Sequence, residues 1–326
     1  MSLFEKNFNL SDKVVLITGG AGFIGSNLAK VLAHQNTKKI KILDNFSTGN
    51  RKNIFELENA PNIEVMNGDI RNFKDCCLAV AGVDIILHHA ALGSVQRSIF
   101  DPNTTHEVNA NGFLNILTAS HQAGVKKIIY ASSSSVYGDN HSMPKRENCT
   151  GVLLSPYAVT KKINEEYANV FSKLYDLTII GFRYFNVFGP GQNVDGPYSA
   201  VIPLFIKAML ANQAATIYGD GENSRDFTYI DNVLLANLLA VDATLVPGHY
   251  LMNVAFGSTM TLNSLHQVLS SEIGHQAPPN YLPSRKGDIR DSFADISLAK
   301  KILDYSPLVD IHEGLRRTVA WWKKSN

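Results

Sequence analysis

Cysteine is scarce in this sequence. The 326 residues include three cysteines, of which Cys76 and Cys77 are adjacent and Cys149 is distant. An odd and sparse set does not suit a disulfide framework, so we expect reduced thiols in a cytoplasmic protein. No cysteine spacing suits zinc, and the pair His88-His89 is typical of a strand end rather than of a metal site. We therefore expect no metal.

Long apolar runs and a strong charge of one sign are also missing. No stretch of about 18 apolar residues is present, which excludes a typical membrane-spanning helix. Residues 1–13 lack the apolar core of a signal peptide. The formal net charge is +1, so we expect neither nucleic acid nor a membrane surface as a partner. With 45% hydrophobic and 18% charged residues, the composition is that of a globular protein.

A glycine-rich turn follows the first predicted strand, residues 13–18. Gly19, Gly22 and Gly25 form the pattern G-x-x-G-x-x-G and lead into an amphipathic helix. This arrangement directs backbone N–H groups and the helix dipole at a pyrophosphate. A second strand ends in Asp44, 19 residues past Gly25, near the spacing at which a carboxylate binds the ribose hydroxyls of NAD. The pattern predicts a site for NAD rather than NADP.

Strands and helices continue to alternate along the chain. The second strand is predicted at residues 40–43. Further strands are predicted at 63–66, 84–88, 127–131 and 178–182, and helices at 73–80 and 106–123. Alternation of this kind is typical of an α/β fold, a Rossmann-type doubly wound parallel sheet, with ligands at the carboxyl ends of the strands. We predict an NAD-binding domain over residues 1–189. Residues 190–326 are predicted to form mainly a smaller C-terminal α/β substrate lobe, with a few segments returning to the main sheet and a loop at 278–291.

A candidate acid/base pair lies in the segment Leu154-Ser-Pro-Tyr-Ala-Val-Thr-Lys161. Ser155 suits a helix N-cap and Pro156 suits its first turn. Tyr157 and Lys161 are then i and i+4 on one helix face. An ammonium near a phenol favours the phenolate and lowers the pKa of the tyrosine, which makes it a general acid/base for a hydroxyl. A run of four serines, residues 132–135, follows a predicted strand and offers a catalytic hydroxyl.

These motifs together resemble the extended short-chain dehydrogenase/reductase family, and within it the bacterial UDP-N-acetylglucosamine 4-epimerases that serve surface polysaccharide synthesis. The resemblance covers about residues 13–322. It rests on the glycine pattern, the serine run, the Tyr157 segment and further matching stretches, among them Arg183-Tyr-Phe-Asn-Val-Phe-Gly189 and Ser224-Arg-Asp-Phe227. It departs at Gln96, where relatives usually have proline, at Gly189-Pro-Gly-Gln-Asn193 and at Asp291. These departures leave the exact sugar open.

The resemblance implies a role for each matching residue. Ser133, Tyr157 and Lys161 would be catalytic, with Tyr157 acting on the sugar 4-hydroxyl. The residues around NAD would be Gly19, Gly22, Phe23, Ile24, Gly25, Asp44, Asn45, Ser47, Thr48, Gly49, Asp69, Ile70, Ala90, Asn109, Tyr157, Lys161 and Tyr184. The residues around the UDP-sugar would be Ser94, Arg97, Ser133, Ser134, Ser135, Asn186, Val201, Tyr218, Arg225, Arg285, Asp288 and Ser292.

The implied activity is interconversion of UDP-GlcNAc and UDP-GalNAc through a 4-keto intermediate. Ser292 stands where a bulky tyrosine in relatives restricts the pocket to plain hexoses, so a small side chain there favours N-acetylhexosamines. A C6 carboxylate on the sugar stays open, with Arg97 as its candidate partner. The alternatives are a 4-epimerase of UDP-N-acetylhexosaminuronates, a UDP-glucuronate decarboxylase and a non-catalytic nucleotide-binding protein of the same fold. The resemblance also implies a homodimer joined through helices near 109–122 and 157–174.

Overall fold

The computed structural model describes residues 8–193, 200–284 and 290–325. In chain order the strands are β1 (Val14–Thr18), β2 (Lys39–Asp44), β3 (Ile63–Asn67), β4 (Ile85–His88), β5 (Lys127–Ser133), β6 (Thr178–Tyr184), β7 (Val187–Phe188), β8 (Thr216–Tyr218), β9 (Ser224–Arg225), β10 (Thr228–Tyr229), β11 (Gly248–Val254), β12 (Met260–Thr261), β13 (Asn280–Leu282) and β14 (Asp291–Ser292). The helices are α1 (Phe23–His34), α2 (Phe73–Val80), α3 (Val95–Phe100), α4 (Pro102–His106), α5 (Gly112–Gln122), α6 (Pro156–Leu174), α7 (Val201–Leu210), α8 (Ile230–Asp242), α9 (Leu262–Ile273), α10 (Ser297–Leu303) and α11 (Ile311–Ser325).

The main sheet has seven parallel strands in the order β11-β6-β5-β4-β1-β2-β3. Its central strands are buried on both faces, which explains why they are nearly continuous apolar runs. One apolar cluster includes Val15 and Ile17 of β1, and a second lies on the other face around Leu16. The predicted Rossmann-type α/β fold is confirmed.

The strand order reverses between β1 and β4. Connections from neighbouring strands leave the sheet in opposite directions at such a point, which opens a crevice at the carboxyl edge. Thr18 ends β1 and His88 ends β4, and their side chains share a hydrogen bond of 2.9 Å. The predicted ligand-binding loops therefore collect above this pair of strands.

Two segments differ from the predicted pattern. The helix predicted at 106–123 is divided into α4, a π-helical turn at Glu107–Asn111, and α5. A π turn inserts a residue into the helical repeat and is common next to functional sites. The predicted loop at 278–291 contains the short strands β13 and β14, which pair with β8 and β9. Strands of two or three residues form because they pair with segments that are distant in the sequence. The local sequence therefore does not predict them.

The chain after residue 189 contributes β11 to the main sheet, and its other described strands form three smaller sheets: β10 with β7, β12-β9-β14, and β13 with β8. β11 pairs in parallel with β6 from Gly248 to Val254. The division at residue 189 stays a prediction. No helix within the described ranges is long and apolar enough to cross a membrane.

Candidate active site

The glycine-rich turn is built around close backbone contacts. Gly19 has φ of +70°, which favours glycine because a side chain is strained there. A Cβ on Gly25 would lie 2.2 Å from the carbonyl oxygen of Gly19, so only glycine fits at this start of α1. Gly22 precedes α1, and no side chain caps that helix end. Its first N–H groups are thus available for an anion.

Asp44 lies at the end of β2, next to this turn. One of its carboxylate oxygens accepts a hydrogen bond of 2.9 Å from the N–H of Ala21, and the other accepts one of 2.8 Å from the N–H of Phe46. These bonds hold the carboxylate at the groove, where a ribose would meet it. Asp69 accepts a hydrogen bond of 2.8 Å from the amide of Asn45. A hydrogen bond from Arg71 is the largest effect that lowers the pKa of Asp69, to about 2.

A groove of about 70 Å³ runs along these residues. Of the predicted NAD-binding residues it is lined by Gly19, Gly22, Asp44, Asn45, Ser47, Thr48, Gly49, Asp69, Ile70 and Ala90. The glycines have no side chains to cover the uncapped N–H groups at the start of α1, and the carboxylate of Asp44 stands at one wall of the groove. The residues present therefore fit NAD.

A larger cleft of about 810 Å³ continues from the groove. Of the predicted site residues it is lined by Gly19, Gly22, Phe23, Ile24, Gly25, Thr48, Ser94, Arg97, Ser133, Ser134, Ser135, Tyr157, Lys161, Tyr184, Asn186, Arg225 and Ser292. Residues from both halves of the chain thus meet in one cavity, as a site for two ligands requires.

Some predicted residues lie elsewhere. Asn109 is buried and lines neither cavity; its amide accepts from the N–H of Leu92 and donates to the hydroxyl of Thr160, so it joins the loop after β4 to α6. Val201 and Tyr218 are also absent from the cavity walls. Arg285 and Asp288 lie outside the described residues.

The local sequence positions Tyr157 in the first turn of α6. The hydroxyl of Ser155 accepts a hydrogen bond of 3.1 Å from the N–H of Ala158, which is the predicted N-cap. The backbone N–H of Tyr157 donates to the hydroxyl of Ser98 at 3.0 Å. Lys161 is buried, its ammonium donates to the carbonyl of Ala131 at 2.8 Å, and it lies 5.8 Å from the centre of the Tyr157 ring.

The pKa of Tyr157 differs from the sequence prediction. Burial raises it above the ordinary value, and a hydrogen bond with Ser133 opposes this rise. Burial lowers the pKa of Lys161 to about 8. The physical reason is that removal from water disfavours the charged form of each group. Burial thus opposes the predicted lowering of the pKa of Tyr157, and the contribution of Lys161 to that lowering stays a prediction.

A buried ion pair supports the helix that holds these groups. Glu165 on α6 accepts two hydrogen bonds of 2.8 Å from the guanidinium of Arg183 on β6 and one of 2.7 Å from the hydroxyl of Ser132 on β5. Both charged side chains are almost completely buried. The pair fixes α6 on the sheet directly beneath the serine run.

Among the residues of the cleft wall that sequence reasoning did not find are His89 and Lys145. His89 follows β4 at the carboxyl edge, a position that could have indicated it. Its Nδ1 atom and the hydroxyl of Ser135 are buried and have no hydrogen-bond partner in the described chain. Nothing in the local sequence indicates Lys145, because its place in the wall depends on contacts with residues about 150 positions further along.

Comparison with known proteins agrees with this geometry. Residues 15–255 match the model of the NAD dependent epimerase/dehydratase family. A UDP-glucose 4-epimerase of Mycolicibacterium smegmatis is 34% identical over 313 residues, covering 95% of this chain and 99% of the relative.

Two solved structures are similar over nearly their whole length. The UDP-N-acetylglucosamine 4-epimerase of Methanobrevibacter ruminantium M1, in complex with UDP-N-acetylmuramic acid, has a TM-score of 0.90 and 38% identity, covering 97% of this chain and 99% of that one. The UDP-glucuronic acid 4-epimerase of Bacillus cereus, in complex with UDP-glucuronic acid and NAD, has a TM-score of 0.89 and 31% identity, covering 96% and 100%. This chain therefore belongs to the NAD dependent epimerase/dehydratase family of extended short-chain dehydrogenases/reductases, and its cofactor is NAD.

Proposed function

We propose that the protein is a UDP-sugar 4-epimerase that interconverts UDP-N-acetylhexosamines. The observation that carries this proposal is the meeting of Ser133, Tyr157 and Lys161 in one cleft that opens from the glycine-rich groove. The similar proteins act on or bind UDP-glucose, UDP-N-acetylglucosamine and UDP-glucuronic acid by their names, which supports the reaction type more than any one sugar.

The chain's own groups perform the proton chemistry. Tyr157, hydrogen-bonded with Ser133, takes the proton of the sugar 4-hydroxyl as the C4 carbonyl forms. When bound, NAD accepts the hydride from C4 and returns it. Rotation of the keto sugar about its phosphate linkage would present the other face of C4, and Tyr157 would then give the proton back to the new hydroxyl. Lys161, fixed by the carbonyl of Ala131, holds a positive charge beside the developing phenolate.

The remaining cleft residues suit a nucleotide sugar. Arg225 lines the cleft, and its guanidinium matches the oxygens of a diphosphate. We also propose that Arg285 and Asp288 bind the UDP group, as the family resemblance implies. No carboxylate among the described residues lines the cleft. This disfavours a dehydratase, which needs an acid to eliminate water.

Ser292 is proposed to leave room for the N-acetyl group. It lies in β14, paired with Arg225 of β9, and its half-buried side chain faces the cleft. Ser292→Tyr should fill this space by steric exclusion. We expect the kcat/KM ratio of UDP-GlcNAc to UDP-glucose to fall at least about tenfold, which corresponds to ~1.4 kcal/mol. An unchanged ratio would remove Ser292 from the determinants of sugar choice.

The proposal is tested by anomeric-proton NMR of the purified protein with UDP-GlcNAc and no added NAD. Growth of UDP-GalNAc signals to a steady ratio supports both the epimerase and a retained cofactor. If they do not grow, the experiment is repeated with UDP-glucose. Conversion of UDP-glucose would indicate the same reaction on a different sugar. No conversion of UDP-GlcNAc, UDP-glucose or UDP-N-acetylglucosaminuronate, with NAD present in the protein, would overturn the proposal.

A further inference from the structure

Three described lysines are almost completely buried: Lys41, Lys145 and Lys161. Lys41 donates to the carbonyls of Ala79 and Ala81 at the end of α2, where a cation stabilises the helix dipole. Lys161 belongs to the proposed proton chemistry. Lys145 is only 3% exposed, and neither a helix dipole nor the proposed proton chemistry accounts for its burial.

Lys145 lies in the wall of the cleft. Its backbone N–H donates to the carbonyl of Phe293, and its backbone oxygen accepts from the N–H of Asp295, which anchors it beside β14. Its ammonium donates to the backbone carbonyl of Asn140. No carboxylate of the described chain forms an ion pair with it. A buried ammonium without an anion is costly, because one carbonyl does not replace its hydration.

The charged side chains that line the cleft, among the described residues, are all cationic. They are Arg97, Lys145, Lys161 and Arg225, and the described lining carries no aspartate or glutamate. Arg225 suits the diphosphate and Lys161 stands beside Tyr157, so these two have proposed partners. Arg97, on α3, is the partner that the family resemblance offers for a sugar carboxylate. Lys145 is a second candidate, on the wall formed with β14, which also carries Ser292. An acidic group on the bound sugar would neutralise this ammonium.

We propose that Lys145 is a specificity-determining residue that holds a carboxylate on the sugar of the nucleotide-sugar substrate. In a hexosaminuronate the carboxylate is at C6, the exocyclic carbon of the hexose ring. The inference rests on the proposed function and narrows it: the N-acetylhexosamine that the enzyme prefers is the uronate. Burial lowers the pKa of Lys145, and a bound carboxylate would oppose that shift.

The test compares UDP-N-acetylglucosaminuronate with UDP-GlcNAc, by kcat/KM and by dissociation constants from calorimetry. Wild-type protein should prefer the uronate. Lys145→Gln keeps a donor for the carbonyl of Asn140 but loses the charge, so the preference should fall about tenfold to a hundredfold. Lys145→Arg should retain more of it than Lys145→Gln. Lys41→Gln is the matched control, a buried lysine outside the cleft, and should leave the preference as in wild type.

Equal affinity of wild-type protein for the two nucleotide sugars would overturn the inference, and so would an unchanged preference in Lys145→Gln. If Lys145→Gln does not fold, the role of Lys145 is tested by the preference for the uronate in wild type and in Lys145→Arg. Failure of the proposed function is a separate result: the wild type would then epimerise neither compound. Calorimetry on the holoenzyme would still measure the preference and decide the role of Lys145.

Discussion

At the scale of single residues, the hydroxyl of Tyr157 is the group on which the proposed chemistry depends. It is hydrogen-bonded with Ser133 inside the cleft, and burial keeps its pKa high in the chain without ligands. The ammonium of Lys161, 5.8 Å from the centre of the ring, and the cationic nicotinamide of bound NAD would both favour the phenolate of Tyr157. Binding of the cofactor and activation of Tyr157 are thus linked by electrostatics.

Tyr157→Phe removes this hydroxyl and keeps the ring. We expect kcat to fall by about 10²- to 10⁴-fold, because general acid/base catalysis is lost. The protein should still contain NAD when it is purified, since the ring and Lys161 remain. Turnover is followed by NMR, and NAD is measured after release by heat. Tyr167→Phe, on the exposed face of the same helix, is the control. A rate like that of wild type would contradict the role of Tyr157.

At the scale of secondary-structure elements, the start of α1 depends on backbone packing against the glycine-rich turn. Gly25→Ala would force a methyl group against the carbonyl oxygen of Gly19, at 2.2 Å, so the turn or the helix must move. We expect most of the bound NAD to be lost, because the N–H groups would no longer face the pyrophosphate.

Gly248→Ala is the matched control for this substitution. A Cβ there would meet its nearest neighbour, the Tyr250 ring, at an ordinary 3.6 Å. NAD released from each purified variant is measured by chromatography and compared with wild type. Full NAD content in Gly25→Ala would show that the turn tolerates a side chain, contrary to the geometry.

The attachment of α6 to the sheet depends on Glu165. Glu165→Gln leaves the guanidinium of Arg183 buried without its anion, and removal of one partner of a buried pair costs about 3–5 kcal/mol. We expect the free energy of unfolding to fall by that amount in denaturant titrations. Glu166→Gln, which breaks an exposed pair with Lys162 on the same helix, should cost less than ~1 kcal/mol. Equal effects of the two substitutions would contradict the assigned importance of the buried pair.

At the scale of the whole molecule, the proposed homodimer has a candidate surface on α6. Its outer face carries the exposed apolar side chains Val159, Tyr167, Val170 and Leu174. A stripe of this kind at helical spacing is unusual for a surface in contact with water. It agrees with the predicted interface through the helices near 109–122 and 157–174, which stays a proposal.

Val170→Glu places a charge in that stripe. We expect the mass in solution, measured by light scattering after gel filtration, to fall from that of a dimer to that of a monomer. Val246→Glu, at a site 73% exposed on the loop before β11, is the control and should remain dimeric. A monomeric wild type, or a dimeric Val170→Glu variant, would show that this face does not join two copies.

The sequence by itself determined the Rossmann-type sheet, the glycine-rich turn with Asp44, and the placement of Tyr157 and Lys161 on one helix face. These features depend on local patterns: apolar runs, turn chemistry and helical spacing act within a few residues. The family resemblance added the role of Ser133 and most of the cleft residues.

Only the tertiary structure decided which distant groups meet and how burial changes them. Asn109 supports the loop after β4 instead of lining a cavity. Some segment after residue 189 is predicted to return to the main sheet, and the structure identifies it as β11, which pairs with β6. Burial raises the pKa of Tyr157, and Lys145 lies in the cleft wall beside β14. Desolvation, strand pairing and long-range hydrogen bonds depend on the packed neighbours of a residue, which no local sequence pattern specifies.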